Sequence, residues 1–346
     1  MNKGIVLFLI GLFLLVGCSK TEDEVMITVT FDSKGGNDIA PQTFNSGSLV
    51  KESTPVDKGF TFVGWYYDEE LQLPFKYSNV IKENLTLYAK WAPNVINPVT
   101  TSYSSNMNQI LSFPHNLVFD ESGILYLSTD AGIYKITSSG AISSFVSGNY
   151  WGMSFDSKGN LFALKPENTL SNIDKIDVSG IATPFLRVDY FASNLFFDKK
   201  NGELFINNFS YGKLNKIDVL GNSTQFASGY GLVGDFTIDP YGNYYLADHS
   251  SIGTISSKGR YSWLVSNLNS PPSDLICDSK GNVYTGSIDN TINKITPTGA
   301  VVSFHLDNSY GGSRCMTIDK DENIYVVMSN QNSNYESLSS ILKITY

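Results

Sequence analysis

From Leu117 onward one pattern of apolar and polar positions recurs: an apolar run ending in Asp, a short turn, an aromatic-rich run, a Lys-Ile run, a second Gly turn and a Phe. The first three copies are LVFDESGILYL with YKITSSGAISSF, MSFDSKGNLFAL with DKIDVSGIATPF, and LFFDKKNGELFI with NKIDVLGNSTQF. FTIDPYGNYYL with GTISSKGRYSWL, LICDSKGNVYT with NKITPTGAVVSF, and MTIDKDENIYVV with LKITY complete the series. Short apolar runs bounded by turn residues predict β-strands. Each repeated Asp predicts a tight turn, because its carboxylate can accept nearby backbone N–H bonds and a following Gly tolerates positive φ. These residues are Asp120, Asp156, Asp198, Asp239, Asp278 and Asp319, spaced by 36, 42, 41, 39 and 41 residues. That interval fits one four-stranded blade, so six blades are predicted. The last copy stops after its third strand, whereas Gln109–Phe113 matches the fourth-strand pattern of Ala141–Phe145 and Ala300–Phe304. This segment is expected to close the ring and leave no open sheet edge.

The chain begins differently. Lys3 precedes an uninterrupted apolar run, GIVLFLIGLFLLV, which ends at Gly17 before Cys18 and is too short to span a bilayer comfortably. Leu15-Val16-Gly17-Cys18 resembles the bacterial lipobox. The resemblance implies cleavage before Cys18 and lipid on its sulfur and new amino terminus, making the membrane a partner. The following SKTEDE is similar to the export signal of some Bacteroidetes lipoproteins, which implies the outer membrane and surface exposure.

Between these regions, the alternation of MITVTF, the Gly35-Gly36 turn, the aromatic GFTFVGWYYD and the closing LTLYAKW bound a small β domain. The pattern, with Gly59, Phe60, Gly64, Trp65 and Trp91, resembles the Listeria/Bacteroides repeat. That implies a β-grasp-like module of bacterial surface proteins, a spacer or adhesion unit without catalytic residues. Trp65, Tyr66 and Tyr67 could form a sugar platform, but strand alternation favours burial of about half of them. The expected organisation is a signal peptide over 1–17, a tether over 18–24, the repeat domain over 25–92, a linker over 93–107 and the propeller over 108–346. The fold class is mainly all-β. The six repeats resemble the NHL and related propellers, a group with ligand- and protein-binding members and a few enzymes, so fold alone does not fix function.

Composition narrows the partners. The 346 residues carry 24 Lys and Arg against 33 Asp and Glu, and a net charge of -9 gives no electrostatic footprint for nucleic acid. Three cysteines, Cys18, Cys277 and Cys315, make no disulfide framework. The last two are expected as buried residues of inner strands. Among His115, His249 and His305, a full catalytic set is hard to assemble.

Propeller sites usually lie where inner strands converge. The residues four before each repeated Asp are Asn116, Gly152, Asn194, Asp235, Asp274 and Cys315. Asn194, Asp235 and Asp274 offer oxygen ligands for a divalent cation such as Ca²⁺, or else structural hydrogen bonds and ordered water, so no cofactor is required. One position earlier come His115, Trp151, Ser193, Gly234, Ser273 and Arg314. Gluconolactonase-like propellers carry Glu, Asn and Asp metal ligands there, and the departure argues against that chemistry. His115 and Arg314 could serve as acid and electrostatic stabiliser in an enzyme similar to the virginiamycin lyase. Asp319, Asp321 and Asn323 start like an EF-hand loop but lack its glycine and closing acid.

The expected function is binding at the cell envelope, through Asn116, Trp151, Asn194, Asp235, Asp274 and Arg314, of a surface glycan or protein. Tyr150, Trp151, Tyr230, Trp263 and Tyr310 are candidate stacking surfaces. The alternatives are a metal-dependent hydrolase or lyase, and a non-catalytic scaffold.

Overall fold

The computed structural model describes residues 25–345, apart from 58, 94–97, 105–106, 108–111, 209–210, 230–232, 257, 307–311 and 332–336. Cys18, the signal segment, Tyr230 and Tyr310 therefore lie outside the described residues.

Six four-stranded sheets form a β-propeller. Their inner strands are Pro114–Phe119, Met153–Phe155, Leu195–Asp198, Val233–Ile238, Pro272–Cys277 and Gly312–Ile318, here blades 1 to 6. Each inner strand lies beside the next, and that of blade 6 lies beside that of blade 1. The closing strand is a correction to the sequence reading. Val99–Ser104, not Gln109–Phe113, pairs antiparallel with Ser337–Thr345 and completes blade 6. The segment expected as a linker thus contributes a strand, and Met107 beyond it is buried in the wedge between blades 6 and 1.

The core is divided accordingly. One buried apolar cluster fills each of the six gaps between neighbouring blades, each wedge being lined by both blades. Sheet faces that alternate inward on both sides explain why second strands such as Leu125–Thr129 and Val283–Ser287 are buried throughout.

The repeated aspartates close the turns as expected. Asp120, Asp156, Asp239, Asp278 and Asp319 each accept backbone N–H bonds from residues two and four further on. Asp198 accepts from Lys200 and Asn201. Tyr126, Tyr245, Tyr284 and Tyr325 then donate their hydroxyls to the second carboxylate oxygen, which ties turn to second strand. Asp319 is engaged in this turn, so the EF-hand likeness has a structural origin.

The small domain has the sheet order Gln42–Asn45, Met26–Asp32, Leu85–Pro93, Phe60–Tyr66, with its two central strands parallel. Trp65 and Trp91 are buried and donate their indole N–H groups to the carbonyls of Ser53 and Ser33. Trp65 is core, while Tyr67 stays 36% exposed. This domain docks on blade 5. Lys294 meets Asp57 at 2.5 Å, with side chains only 3% and 1% exposed, and lies over the rings of Phe60 and Tyr284. Val302 of blade 5 joins the small domain's core, and Gly35 sits so close to Asn282 that a Cβ would fall 2.4 Å from its side-chain oxygen. Among the described residues, the core clusters draw on positions from Ile27 onward.

Candidate functional site

The N-terminal ends of the inner strands converge on one mouth of the channel. A polar pocket of about 140 Å³ is lined there by His115, Asn116, Trp151, Ser193, Asn194, Asp235, Ser273 and Asp274, among others. The structure brings together most of the predicted site residues. Their partners show what they do.

Four of the six ring residues bond their blade to the next. Asn116 Oδ1 accepts the Met153 N–H at 3.3 Å, and Asp235 Oδ2 accepts the Leu275 N–H at 2.6 Å. Asp274 Oδ2 accepts the Met316 N–H, and its other oxygen accepts from Leu275 at 2.9 Å. In all three cases the donor follows the equivalent ring position of the next blade. Asn194 instead donates from Nδ2 to Asp235 and accepts the Leu195 N–H at 2.8 Å. Blade 2 has Gly152 at this position, where a Cβ would lie 2.5 Å from Asn194 Oδ1. Two residues on, Ser154 takes over the linkage by accepting the Phe197 N–H at 3.0 Å.

Asp235 and Asp274 are buried side by side. Burial first, and then the Asp235 charge and hydrogen bond, push the Asp274 carboxyl well above the ordinary carboxylate range. Two adjacent buried carboxyls cannot both ionise cheaply, so Asp274 holds the proton between them. A hard cation needs several free anionic oxygens. Here the oxygens of Asn194, Asp235 and Asp274 already accept main-chain N–H bonds, which leaves a poor donor set for Ca²⁺. No group of three or more His, Cys, Asp or Glu converges for a metal among the described residues.

Above the ring runs an arc of aromatic groups. Trp151 stacks on His115 with centroids 4.6 Å apart, Phe191 meets Trp151 edge-on, and Phe113 packs beside His115. The Arg314 guanidinium lies over Phe113 at 5.0 Å, so His115 and Arg314 are joined through this ring. His115 Nε2 is 2.7 Å from Asp130 Oδ1. Burial lowers the imidazole below its ordinary value against the pull of Asp130, which favours a neutral ring donating from Nε2. Among the described residues, two buried polar atoms at the mouth lack a hydrogen-bond partner: Trp151 Nε1 and Ser273 Oγ.

Other expected residues fall elsewhere. Tyr150 is fully buried and donates to Asp174, and Trp263 is exposed on the outermost strand of blade 4, away from the mouth. Cys277 and Cys315 lie on inner strands, where burial raises both thiols well above their ordinary range. Sequence reasoning missed Asp130 and Phe191, which no repeat position marked, and read Phe113 as the end of a closing strand instead of a site residue; Asp130 directly follows the second strand of blade 1.

Two parts of the chain resemble different known proteins. Residues 28–90 match the Listeria-Bacteroides repeat domain. Over 81 residues the chain is 42% identical to a protein of Evansella cellulosilytica named as a membrane protein, and over 81 residues 37% identical to a Gly-rich membrane protein of the same organism. Those matches span 23% of this chain and only 12% and 9% of the two relatives' length. Solved structures share the propeller. A gluconolactonase from Xanthomonas campestris aligns with TM-score 0.60 at 10% identity over 72% of this chain and 89% of its own. Virginiamycin B lyase from Staphylococcus aureus, an inactive His-to-Ala variant with quinupristin, aligns at 0.55 and 12% over 72% of this chain and 100% of its own. PQQ-bound aldose sugar dehydrogenase from Streptomyces coelicolor aligns at 0.57 and 13% over 72% and 98%. At these identities the likeness is one of fold.

Proposed function

We propose that this chain is a cell-envelope lipoprotein, tethered through lipid on Cys18, whose propeller binds a surface glycan or a protein segment at the polar mouth. The observation that carries the reading is the set of unpartnered polar atoms there. Buried donors and acceptors cost about 1–3 kcal/mol each when unmatched, and a ligand that supplies partners recovers that cost. Trp151 Nε1 would donate to an acceptor such as a sugar hydroxyl or peptide carbonyl, while Ser273 could do either. The repeat domain, fixed on blade 5, acts as a rigid arm between tether and propeller.

A glycan and peptide array probed with the chain from Val25 onward tests this. Trp151→Phe keeps an aromatic ring in place and removes the N–H, and should weaken a retained ligand about tenfold. Absence of any retained ligand would leave the scaffold reading instead. Incorporation of labelled palmitate, lost in Cys18→Ala, tests the anchor separately.

A hydrolase or lyase reading stands second, favoured by the His115–Asp130 pair, in which a carboxylate orients an imidazole. Turnover of a lactone or of quinupristin that disappears in His115→Ala would place it first.

A further inference from the structure

Among the described residues, Lys294 and Asp57 form an ion pair with both side chains buried, whereas every other ion pair has at least one partner partly open to solvent. Lys294 Nζ stands 2.5 Å from Asp57 Oδ1, although the two residues are 237 apart in the chain. The second oxygen of the acid, Oδ2, is buried without a hydrogen-bond partner. A carboxylate oxygen in that setting is costly to keep ionised. Burial accordingly raises the Asp57 carboxyl above its ordinary value against the pull of Lys294, and the Asp278 charge adds to the rise.

The surroundings keep bulk water away and leave room for one product. The rings of Phe60 and Tyr284 lie 5.1 and 5.9 Å from the Lys294 nitrogen. Beside the pair, a void of about 80 Å³ is lined by Asp57, Lys294, Tyr284 and Asp278, among others, and is large enough to hold water. An amine and a carboxyl are thus held in contact, in one orientation, in a dry place. Reactants fixed in that way reach effective concentrations of about 10⁵–10⁸ M, which offsets the tendency of water to oppose amide formation.

We propose that Lys294 and Asp57 condense in the folded chain to an isopeptide bond, which fixes the small domain covalently to blade 5. A proton first passes from Lys294 Nζ to Asp57 Oδ1 and leaves a neutral amine and a neutral acid. The nitrogen lone pair attacks Asp57 Cγ, and the N–C bond forms. A second proton then moves from nitrogen to the carboxyl hydroxyl, the C–O bond breaks, the carbonyl re-forms and one water departs into the void. Ammonium and carboxylate become amide and water, so no oxidant, reductant or activating group is consumed. The ion pair is the freshly folded state, and the bond follows it. The bond is independent of any ligand at the polar mouth. A load drawn through the N-terminal segment would reach the propeller through blade 5 and bypass the closing strand Val99–Ser104, which lies between the two linked residues in the chain.

Tryptic mapping of the denatured full chain tests this, on fresh protein and after prolonged incubation. Trypsin frees residues 52–58, which hold Asp57, and cannot cut after an acylated Lys294, so Lys294 then stays within 281–314. A branched product of these two peptides, lighter than their sum by one water, is expected by the later time, with fragmentation placing the branch at Asp57 and Lys294. Lys294→Arg keeps the positive charge beside Asp57 and lacks the amine, and should lose the branched product altogether. Separate peptides 52–58, 281–294 and 295–314 at both times, or a branch at any other pair of residues, would overturn the proposal.

Discussion

Two buried aspartates are neutralised in opposite ways. Asp57, at the seam between the small domain and blade 5, meets the Lys294 ammonium at 2.5 Å. Asp274, in the channel ring, meets another acid and two backbone N–H groups. One site keeps its charges and pairs them, whereas the other gives up a charge by keeping a proton. The difference follows from what each holds together. A seam between two domains must be specified by a unique partner, and an ion pair with Lys294 under Phe60 and Tyr284 supplies one. A ring of repeats can reuse one kind of link, and the backbone N–H of the next blade supplies it to Asn116, Ser154, Asp235 and Asp274.

Breaking the seam should have the largest effect. Asp57→Ala leaves the Lys294 ammonium buried without its counter-charge, and a loss of about 3–5 kcal/mol is expected in denaturant unfolding. Lys294→Met with Asp57→Leu, which removes both charges, should recover most of it. Breaking the ring should cost less. Asp274→Ala strips the Met316 N–H of its acceptor, for an expected loss of about 1–3 kcal/mol. Gly152→Ala belongs in the same range of about 1–3 kcal/mol, since its methyl would meet Asn194 and the backbone of Leu195.

The pH dependence sharpens the contrast further. Because the folded state holds Asp274 protonated well above the ordinary carboxylate range, folding takes up a proton. Stability from this group is therefore full below the unfolded-state value and falls as pH rises through the raised one. Asp274→Asn should flatten that part of the profile, measured as thermal midpoint against pH.

The blades were legible because one turn must be built six times, and an Asp that accepts two backbone N–H groups leaves its mark at every repeat. The ring residues were legible by position for the same reason, and most of those proposed for binding do meet at the mouth. Their role was not legible, because what they bond is main chain of another blade, which no side-chain pattern records. Val99–Ser104 escaped detection as a strand because an outermost strand buries little: only Ser104 in VTTSYS is buried. QILSF looked more like a strand, but its first three residues lie outside the described ones. The seam could not be read either, since Asp57 and Lys294 are far apart in sequence and each looks like an ordinary surface residue.

The central claim is that Asp274 joins blades as a neutral acid and is not a cation ligand. The direct measurement is the thermal midpoint of Asp274→Asn beside the unsubstituted chain at neutral pH, each with chelator and with added calcium. Asn already occupies the equivalent position as Asn116 and Asn194, and its amide can accept from Met316 while donating to Asp235. The account predicts a midpoint unchanged or raised by the substitution, and no response to calcium in either protein. A drop as large as that of Asp274→Ala, or a calcium-dependent rise that the substitution removes, would contradict it.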